Sequence, residues 1–154
     1  MSFAVLVALA VRCLLVVLFL PFSALDKLLN FRGAVKQAGQ VAPGGAAAAL
    51  IVVGLSVEIL MPLGIVTGVA DRLAAFILAG YCGATALLWK QFWAPGDFWQ
   101  GSDSKGRTLF WDFLKNFSLA GGFLLLTFGT SSMAVHDFFD HPFASSRPYS
   151  QAPR

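Results

Sequence analysis

The sequence predicts an all-α integral membrane protein, a bundle of four transmembrane helices, and three observations lead to that fold class. Of 154 residues, 57% are hydrophobic and only 12% are charged, about half the charged share of a typical soluble domain. The apolar residues fall into four segments, each near the ~20 residues that a helix needs to cross a ~30 Å hydrocarbon core. These segments are rich in Leu, Ala and Phe and do not alternate polar with apolar residues, which favours helices over strands.

The four predicted spans cover residues 2–29, 46–69, 73–93 and 109–133. Arg12 and Pro21 interrupt the first span. Asp71 and Arg72 mark a very short turn between the second and third spans, which must therefore run antiparallel side by side. We predict one four-helix transmembrane domain over residues 1–135, followed by a polar C-terminal tail, 136–154, that is flexible or lies on the surface.

The charge pattern indicates a membrane topology and no nucleic-acid partner. The formal net charge is only +3, without any run of basic residues. Most Lys and Arg residues lie in the two longer links or at the helix ends beside them, and the positive-inside rule then predicts that both links are cytoplasmic. These basic residues are Lys27, Arg32, Lys36, Lys90, Lys105, Arg107 and Lys115.

Two ionisable residues are predicted to lie at membrane depth. A charge there costs about 2.5 to 3.5 kcal/mol on insertion scales, so each one needs a partner or a function. Arg12 lies roughly 15 Å into the first helix at 1.5 Å per residue, and Glu58 reaches a similar level on the second. We therefore predict that Arg12 and Glu58 pair. Two interpretations stay open: the pair locks the bundle together, or it lines a ligand or proton site.

A second group of candidate residues lies toward the two links. Asp26 and Lys27 end the first helix, Lys90 ends the third, and Asp112 and Lys115 enter the fourth. Such residues can line the outer part of a ligand site. The alternative is that their side chains simply extend to the lipid head groups, as Lys residues at helix ends commonly do.

Other chemistry has little support in the sequence. Cys13 and Cys82 stand alone without a C-x-x-C pattern, so we expect two free thiols. His136 and His141 in the tail are too loosely spaced to predict a metal site, and we expect none. No phosphate-binding glycine loop or serine-nucleophile motif is present. Whether the protein is an enzyme stays open, and no catalytic residue is assigned.

Three stretches, in this order and spacing, carry a family resemblance. The first helix contains Arg12, then Phe19, then the run from Ser23 to Leu28; the second contains the run from Glu58 to Arg72; the fourth contains Leu114-Lys115-Asn116 followed by Gly121-Gly122. The pattern resembles the DoxX family of small bacterial four-helix membrane proteins. The resemblance extends over residues 11–128, with Ala24 standing where glycine is usual.

The resemblance implies a multi-pass protein of the bacterial inner membrane. For some relatives it implies association with quinone-linked oxidation of sulfur compounds or with oxidative-stress enzymes, while many members have no defined activity. The residues that match family positions are Arg12, Lys27, Glu58, Lys115 and Asn116. With Asp112, they form the candidate ligand-binding set.

Three functions stay open. The first is a redox-associated accessory protein that binds a quinone or docks a partner oxidoreductase. The second is a small proton-coupled transporter that uses Glu58 as its proton-binding carboxylate, which predicts a homo-oligomer because four helices enclose little space. The third is a purely structural subunit of a larger membrane complex.

Overall fold

The computed structural model describes residues 2–42 and 44–150, and every regular element in those ranges is helical. The seven α-helices are α1 Phe3–Val16, α2 Ala24–Leu29, α3 Phe31–Ala38, α4 Gly45–Thr67, α5 Asp71–Trp89, α6 Lys105–Phe128 and α7 Ser132–Asp140. Four stretches are long and apolar enough to cross a membrane: Phe3–Leu29, Gly45–Thr67, Asp71–Trp89 and Lys105–Phe128. The predicted four-span architecture is confirmed.

The first span is broken where the sequence places its proline. Between α1 and α2, Leu18–Ser23 forms a π-helical segment, and Leu20 within it has φ −123° and ψ 115°, which is not helical. Proline lacks the N–H that an α-helix needs and its ring clashes with the preceding turn, so the helix breaks around Pro21. Beyond the break, α2 packs against α4.

The observed boundaries differ from the predicted ones at two links. The first link contains a short amphipathic helix, α3, where we had predicted only a polar connection. The last span begins at Lys105 instead of 109 because its first turn is capped: Asp97 accepts from the backbone N–H groups of Lys105 and Gly106 at 3.0 and 2.8 Å, and Ser104 accepts from that of Arg107 at 3.3 Å. Such side-chain caps satisfy N–H groups that have no partner within the helix.

Helices α4, α5 and α6 form the tightly packed centre of the bundle. Their contact uses small residues on α5, where Ala75 and Ala86 are fully buried. A Cβ at Gly64 would lie 3.2 Å from the Ala74 Cβ, so α4 and α5 approach closely there. Neighbouring Gly68 has a different role: with φ +79° it ends α4 in a left-handed conformation that glycine adopts without strain.

The outer faces of the four membrane-spanning stretches expose many large apolar side chains. Leu14 is 72% exposed, Phe22 65% and Leu125 59%. Such residues are expected where lipid tails, and not water, surround the protein. The two cysteines are free thiols as predicted, with Cys13 exposed and Cys82 buried.

The C-terminal residues cover the end of the bundle where α1 begins and α4 ends. Helix α7 extends to Asp140, and so includes the first five residues of the predicted flexible tail. Beyond it, the backbone N–H of Ser146 donates to Asp71, and the hydroxyl of Tyr149 donates to the carbonyl of Val66. Residues 136–150 therefore lie on this end of the bundle, and the last part of the predicted tail, 151–154, is outside the described residues.

Candidate functional site

The structure contains two separate buried ion pairs where the sequence predicted one. Arg12 pairs with Asp71, and Glu58 pairs with Lys27. The predicted Arg12–Glu58 pair is wrong. Arg12 instead lies beside Ile65, to whose carbonyl it donates at 2.6 Å. Ile65 is two helical turns beyond Glu58, or roughly 10 Å along α4. The predicted depths placed Arg12 level with Glu58, whereas the structure places it two helical turns further along α4.

Glu58 is the centre of the first polar cluster, although only 2% of the residue is exposed. The Lys27 ammonium lies 2.8 and 2.9 Å from its two carboxylate oxygens. The hydroxyls of Ser23 and Tyr81 donate to Oε1 at 3.0 and 2.8 Å. Because four donor contacts converge on the carboxylate, its charge is compensated at membrane depth. We call Glu58, Lys27, Ser23 and Tyr81 the Glu58 cluster.

Three elements of the fold position this cluster. Ser23, the residue before α2, and Lys27 within α2 are one turn apart, and the Lys27 ammonium also donates to the Ser23 hydroxyl at 2.7 Å. Tyr81 reaches Glu58 across the α4–α5 contact because Gly54 leaves room for its ring: a Cβ at Gly54 would lie 3.1 Å from the Tyr81 hydroxyl oxygen. The spacing of Ser23 and Lys27 and the space at Gly54 therefore place the donors beside the Glu58 carboxylate.

A cavity of about 600 Å³ extends from the Glu58 cluster to the surface. This volume is in the range of small-molecule sites, about 300 to 1,000 Å³. Buried Glu58 forms the inner end, and Lys115, whose side chain is 73% exposed, lies at the mouth. Apolar side chains between these ends come from the π-helical segment, α4 and α6, namely Leu18, Phe19, Ile51 and Leu119. The cavity therefore has charged groups at both ends and apolar side chains along part of its wall.

The mouth of the cavity contains a second ionic group. The ammonium of Lys90 lies 3.0 Å from one oxygen of Asp112, and that of Lys115 lies 3.6 Å from the other. We call Lys90, Asp112 and Lys115 the mouth triad. Trp89 and Asn116 also line this part of the cavity.

The cavity brings together five of the six residues in the candidate ligand-binding set. Glu58, Lys27, Asp112, Lys115 and Asn116 all line it, as do Asp26 and Lys90. Arg12 does not line it. The sequence thus predicted which polar residues converge, but misassigned the partner of Glu58.

Arg12 belongs to a cluster at the opposite end of the bundle. Its guanidinium lies 2.7 Å from Asp71 and donates to the Ser146 hydroxyl at 2.8 Å, and Ser146 in turn donates to Asp71. We call Arg12, Asp71 and Ser146 the Arg12 cluster. Arg12 and Asp71 are 6% and 0% exposed and do not line the cavity, and their contacts join α1, α5 and the C-terminal segment.

The neighbouring Arg72 joins three helices at the same end. It donates to the carbonyls of Thr127 at 2.9 Å and Ala134 at 2.8 Å, and it pairs with Asp137 on α7. Its guanidinium carbon also lies 5.5 Å from the centre of the Phe138 ring. Asp71 and Arg72, which mark a turn in the sequence, are therefore buried structural charges.

Tyr81 and Ser23 are parts of the site that were not predicted from the sequence. A signal for Tyr81 was available: α4 and α5 form an antiparallel pair with a tight turn at 68–70, so residues equally distant from that turn lie at the same level. Glu58 and Tyr81 are nearly equidistant from it. Ser23 could not be found this way, because its position depends on the break in the first span.

Comparison with known proteins gives one match. The family model DoxX matches residues 7–91, more than half of the chain, and includes Arg12, Lys27, Glu58 and Tyr81. The curated proteins yield no match, and neither do the solved structures.

Proposed function

Because the chain belongs to the DoxX family, we propose that its cavity binds the head group of a lipid-soluble quinone, and that the protein is a redox-associated accessory component of the bacterial inner membrane. The observation that carries this proposal is the Glu58 cluster at the inner end of the 600 Å³ cavity. A buried ionisable group inside a membrane protein marks a functional site more often than not.

The hydrogen bonding of Glu58 fits the reduced form of such a ligand. Within the described residues, Oε1 accepts three hydrogen bonds, whereas Oε2 accepts only from Lys27. A carboxylate offers about four acceptor positions, so Oε2 can accept another donor. A quinol hydroxyl is such a donor. The apolar wall provides contact for the ring and for the hydrocarbon tail.

The residues also suit proton exchange with this ligand. A quinol that is oxidised gives up two electrons, which pass to a partner oxidoreductase, and two protons. Glu58 accepts one proton, since its carboxylate is the only anionic group of the cluster, and the second proton passes to water that enters from the cavity mouth. Lys27 then loses its anionic partner, which favours return of the proton from Glu58 to water at the cavity mouth.

Analysis of the co-purified lipids tests this function. We expect the protein, purified in a mild detergent, to retain quinone that solvent extraction and mass spectrometry detect in amounts comparable with the protein. In Glu58→Gln the quinone content should fall about tenfold, because a hydrogen bond to a charged group contributes ~1.5 to 3 kcal/mol. Tyr81→Phe, which removes one donor and keeps the ring, should give a smaller loss.

A matched control is available on the same helix. Ser56 is exposed on α4 and, in the part of the chain that the structure describes, donates only to the carbonyl of Val52, so Ser56→Ala should leave the quinone content unchanged. Wild-type protein without quinone, or equal quinone in the wild type and the folded Glu58→Gln variant, would contradict the proposal.

A proton-coupled transporter is the second candidate, and the Glu58–Lys27 pair favours it in one respect. A carboxylate that already binds an ammonium group can exchange it for a cationic substrate or a proton. Uptake of a cationic dye into vesicles under an imposed pH gradient tests this function. Uptake that Glu58→Gln abolishes, by protein that holds no quinone, would replace the first proposal with the second.

A further inference from the structure

The mouth triad has more positive than negative charge. Lys90 and Lys115 approach the same carboxylate, that of Asp112, at 3.0 and 3.6 Å. Asp112 can neutralise only one of them. Lys115 has the longer contact and is 73% exposed, so its ammonium is the one free to bind a further anion. The surplus charge lies on the α5–α6 side of the cavity.

The residue before Lys90 carries an unsatisfied donor. The indole N–H of Trp89 is buried and finds no acceptor among residues 2–42 and 44–150. A buried polar group left without a partner costs about 1 to 3 kcal/mol. Trp89 precedes Lys90 in the chain and lines the same cavity. The lining of the mouth therefore combines a surplus cation with a residue whose hydrogen-bonding donor is unused.

The depth of the triad matches that of lipid head groups. Trp89 is the last residue of α5, and Lys90 follows the end of that membrane-spanning helix. The Lys90–Asp112 contact brings the α6 part of the triad to the same level. Lys and Trp side chains at the ends of spans commonly lie in the head-group layer. A lipid phosphate is thus the anion nearest to the triad.

We propose that the mouth triad and Trp89 form a binding site for the phosphate of an anionic phospholipid head group. Lys115 and Lys90 bind its oxygens, and the apolar wall beside them takes part of an acyl chain. The site is distinct from the Glu58 end, so it goes beyond the proposed quinone binding. Basic pockets between transmembrane helices are suited to such head groups.

The other acidic group near the mouth explains the side on which the phosphate binds. Asp26 also lines the cavity and, within the described residues, has no cation within 4.0 Å; it accepts from Asn30 at 2.9 Å. Its charge repels an anion from the α2 side. The phosphate therefore binds on the α5–α6 side, where the surplus ammonium lies.

Native mass spectrometry with defined lipids tests the site. The protein is titrated in detergent with phosphatidylglycerol, which is anionic, or phosphatidylcholine, which has no net charge, and the bound fraction is measured. We expect preferential binding of phosphatidylglycerol. Lys115→Gln should weaken it about fivefold, the effect of one basic residue close to an anionic surface. Lys105→Gln, on the same helix but outside the cavity, is the control and should change nothing.

A second variant is expected to increase phosphatidylglycerol binding. Asp112→Asn removes the competing carboxylate while keeping its size, so both lysines become available and phosphatidylglycerol binding should rise about fivefold. A purely structural triad would lose stability in this variant without any gain in lipid binding. Unchanged or weaker binding by folded Asp112→Asn, or equal binding of the two lipids by the wild type, would overturn the proposal.

A third arm separates the lipid from a soluble source of the same group. Inorganic phosphate is added at millimolar concentration during the lipid titration. We expect bound phosphatidylglycerol to remain, because phosphate has no acyl chain to contact the cavity wall. Displacement of the lipid by inorganic phosphate alone would show that the site takes a soluble phosphate and would overturn its assignment to a lipid.

Discussion

The Lys27 ammonium bridges both carboxylate oxygens of Glu58, at 2.8 and 2.9 Å, across 31 positions of the sequence. The contact joins α2 to α4 and closes the inner end of the cavity. Glu58 is 2% exposed, whereas the Lys27 side chain is 21% exposed and lines the cavity. The pair is therefore a structural link between two helices and also part of the cavity lining at its inner end.

Breaking this pair from one side should cost more stability than removing both partners. Lys27→Met leaves a buried carboxylate without its cation, and we expect a loss of about 2 to 4 kcal/mol in the free energy of unfolding. In the double variant Lys27→Met/Glu58→Leu no charge is left unpaired, so the loss should be smaller than the sum of the single losses by ~1 to 3 kcal/mol. Denaturation in mixed micelles measures the free energy of unfolding of four proteins: the wild type, the single variants Lys27→Met and Glu58→Leu, and the double variant. Additive losses would show that the two residues do not interact.

Gly54 should control the position of Tyr81. An added methyl group would lie 3.1 Å from the Tyr81 hydroxyl, so Gly54→Ala should push the hydroxyl away from Glu58. We expect a loss of quinone similar to that in Tyr81→Phe. Gly80→Ala, on α5 with open space at its Cβ, is the control and should keep the ligand, with a gain of up to ~1 kcal/mol in helix stability. Equal quinone in both variants would contradict this coupling.

Arg12 should stabilise the bundle without contributing to the cavity. Its partner Asp71 is fully buried, so Arg12→Met leaves an unpaired buried carboxylate and should cost about 3 to 5 kcal/mol. The protein that remains folded should hold as much quinone per molecule as the wild type. Unfolding in mixed micelles and lipid extraction measure the two effects. If Arg12→Met keeps its stability but loses quinone, Arg12 contributes to ligand binding and this prediction is wrong.

Ser146 should hold the C-terminal segment against the Arg12 cluster. Its hydroxyl accepts from Arg12 and donates to Asp71. Ser146→Ala should lower the free energy of unfolding by about 1 to 2 kcal/mol and increase the reaction of Arg12 with phenylglyoxal, which peptide mass spectrometry quantifies. Ser145→Ala should behave as the wild type, because within the described residues the Ser145 hydroxyl accepts only from the backbone N–H of Arg147. Equal Arg12 labelling in both variants would argue against this role.

The sequence predicted the membrane bundle because length and apolar composition are properties of each segment alone. A helix that satisfies its own backbone hydrogen bonds in lipid needs no information about its neighbours. The observed spans accordingly begin and end within about five residues of the predicted ones. The short helix α3 was missed, because its pattern extends over only eight residues.

The sequence also identified most of the polar residues that line the cavity, because charge at membrane depth is rare and costly. Their pairing was decided by the tertiary structure. The break at Pro21 redirects α2, so that Lys27 reaches Glu58, and the tight turn after α4 brings Asp71 to Arg12. The break and the turn shift residues by whole helical turns relative to the neighbouring helices. A count of residues along straight helices does not include such shifts. The chain by itself therefore determined the number of spans and the residues too polar for lipid, and packing determined which of them meet.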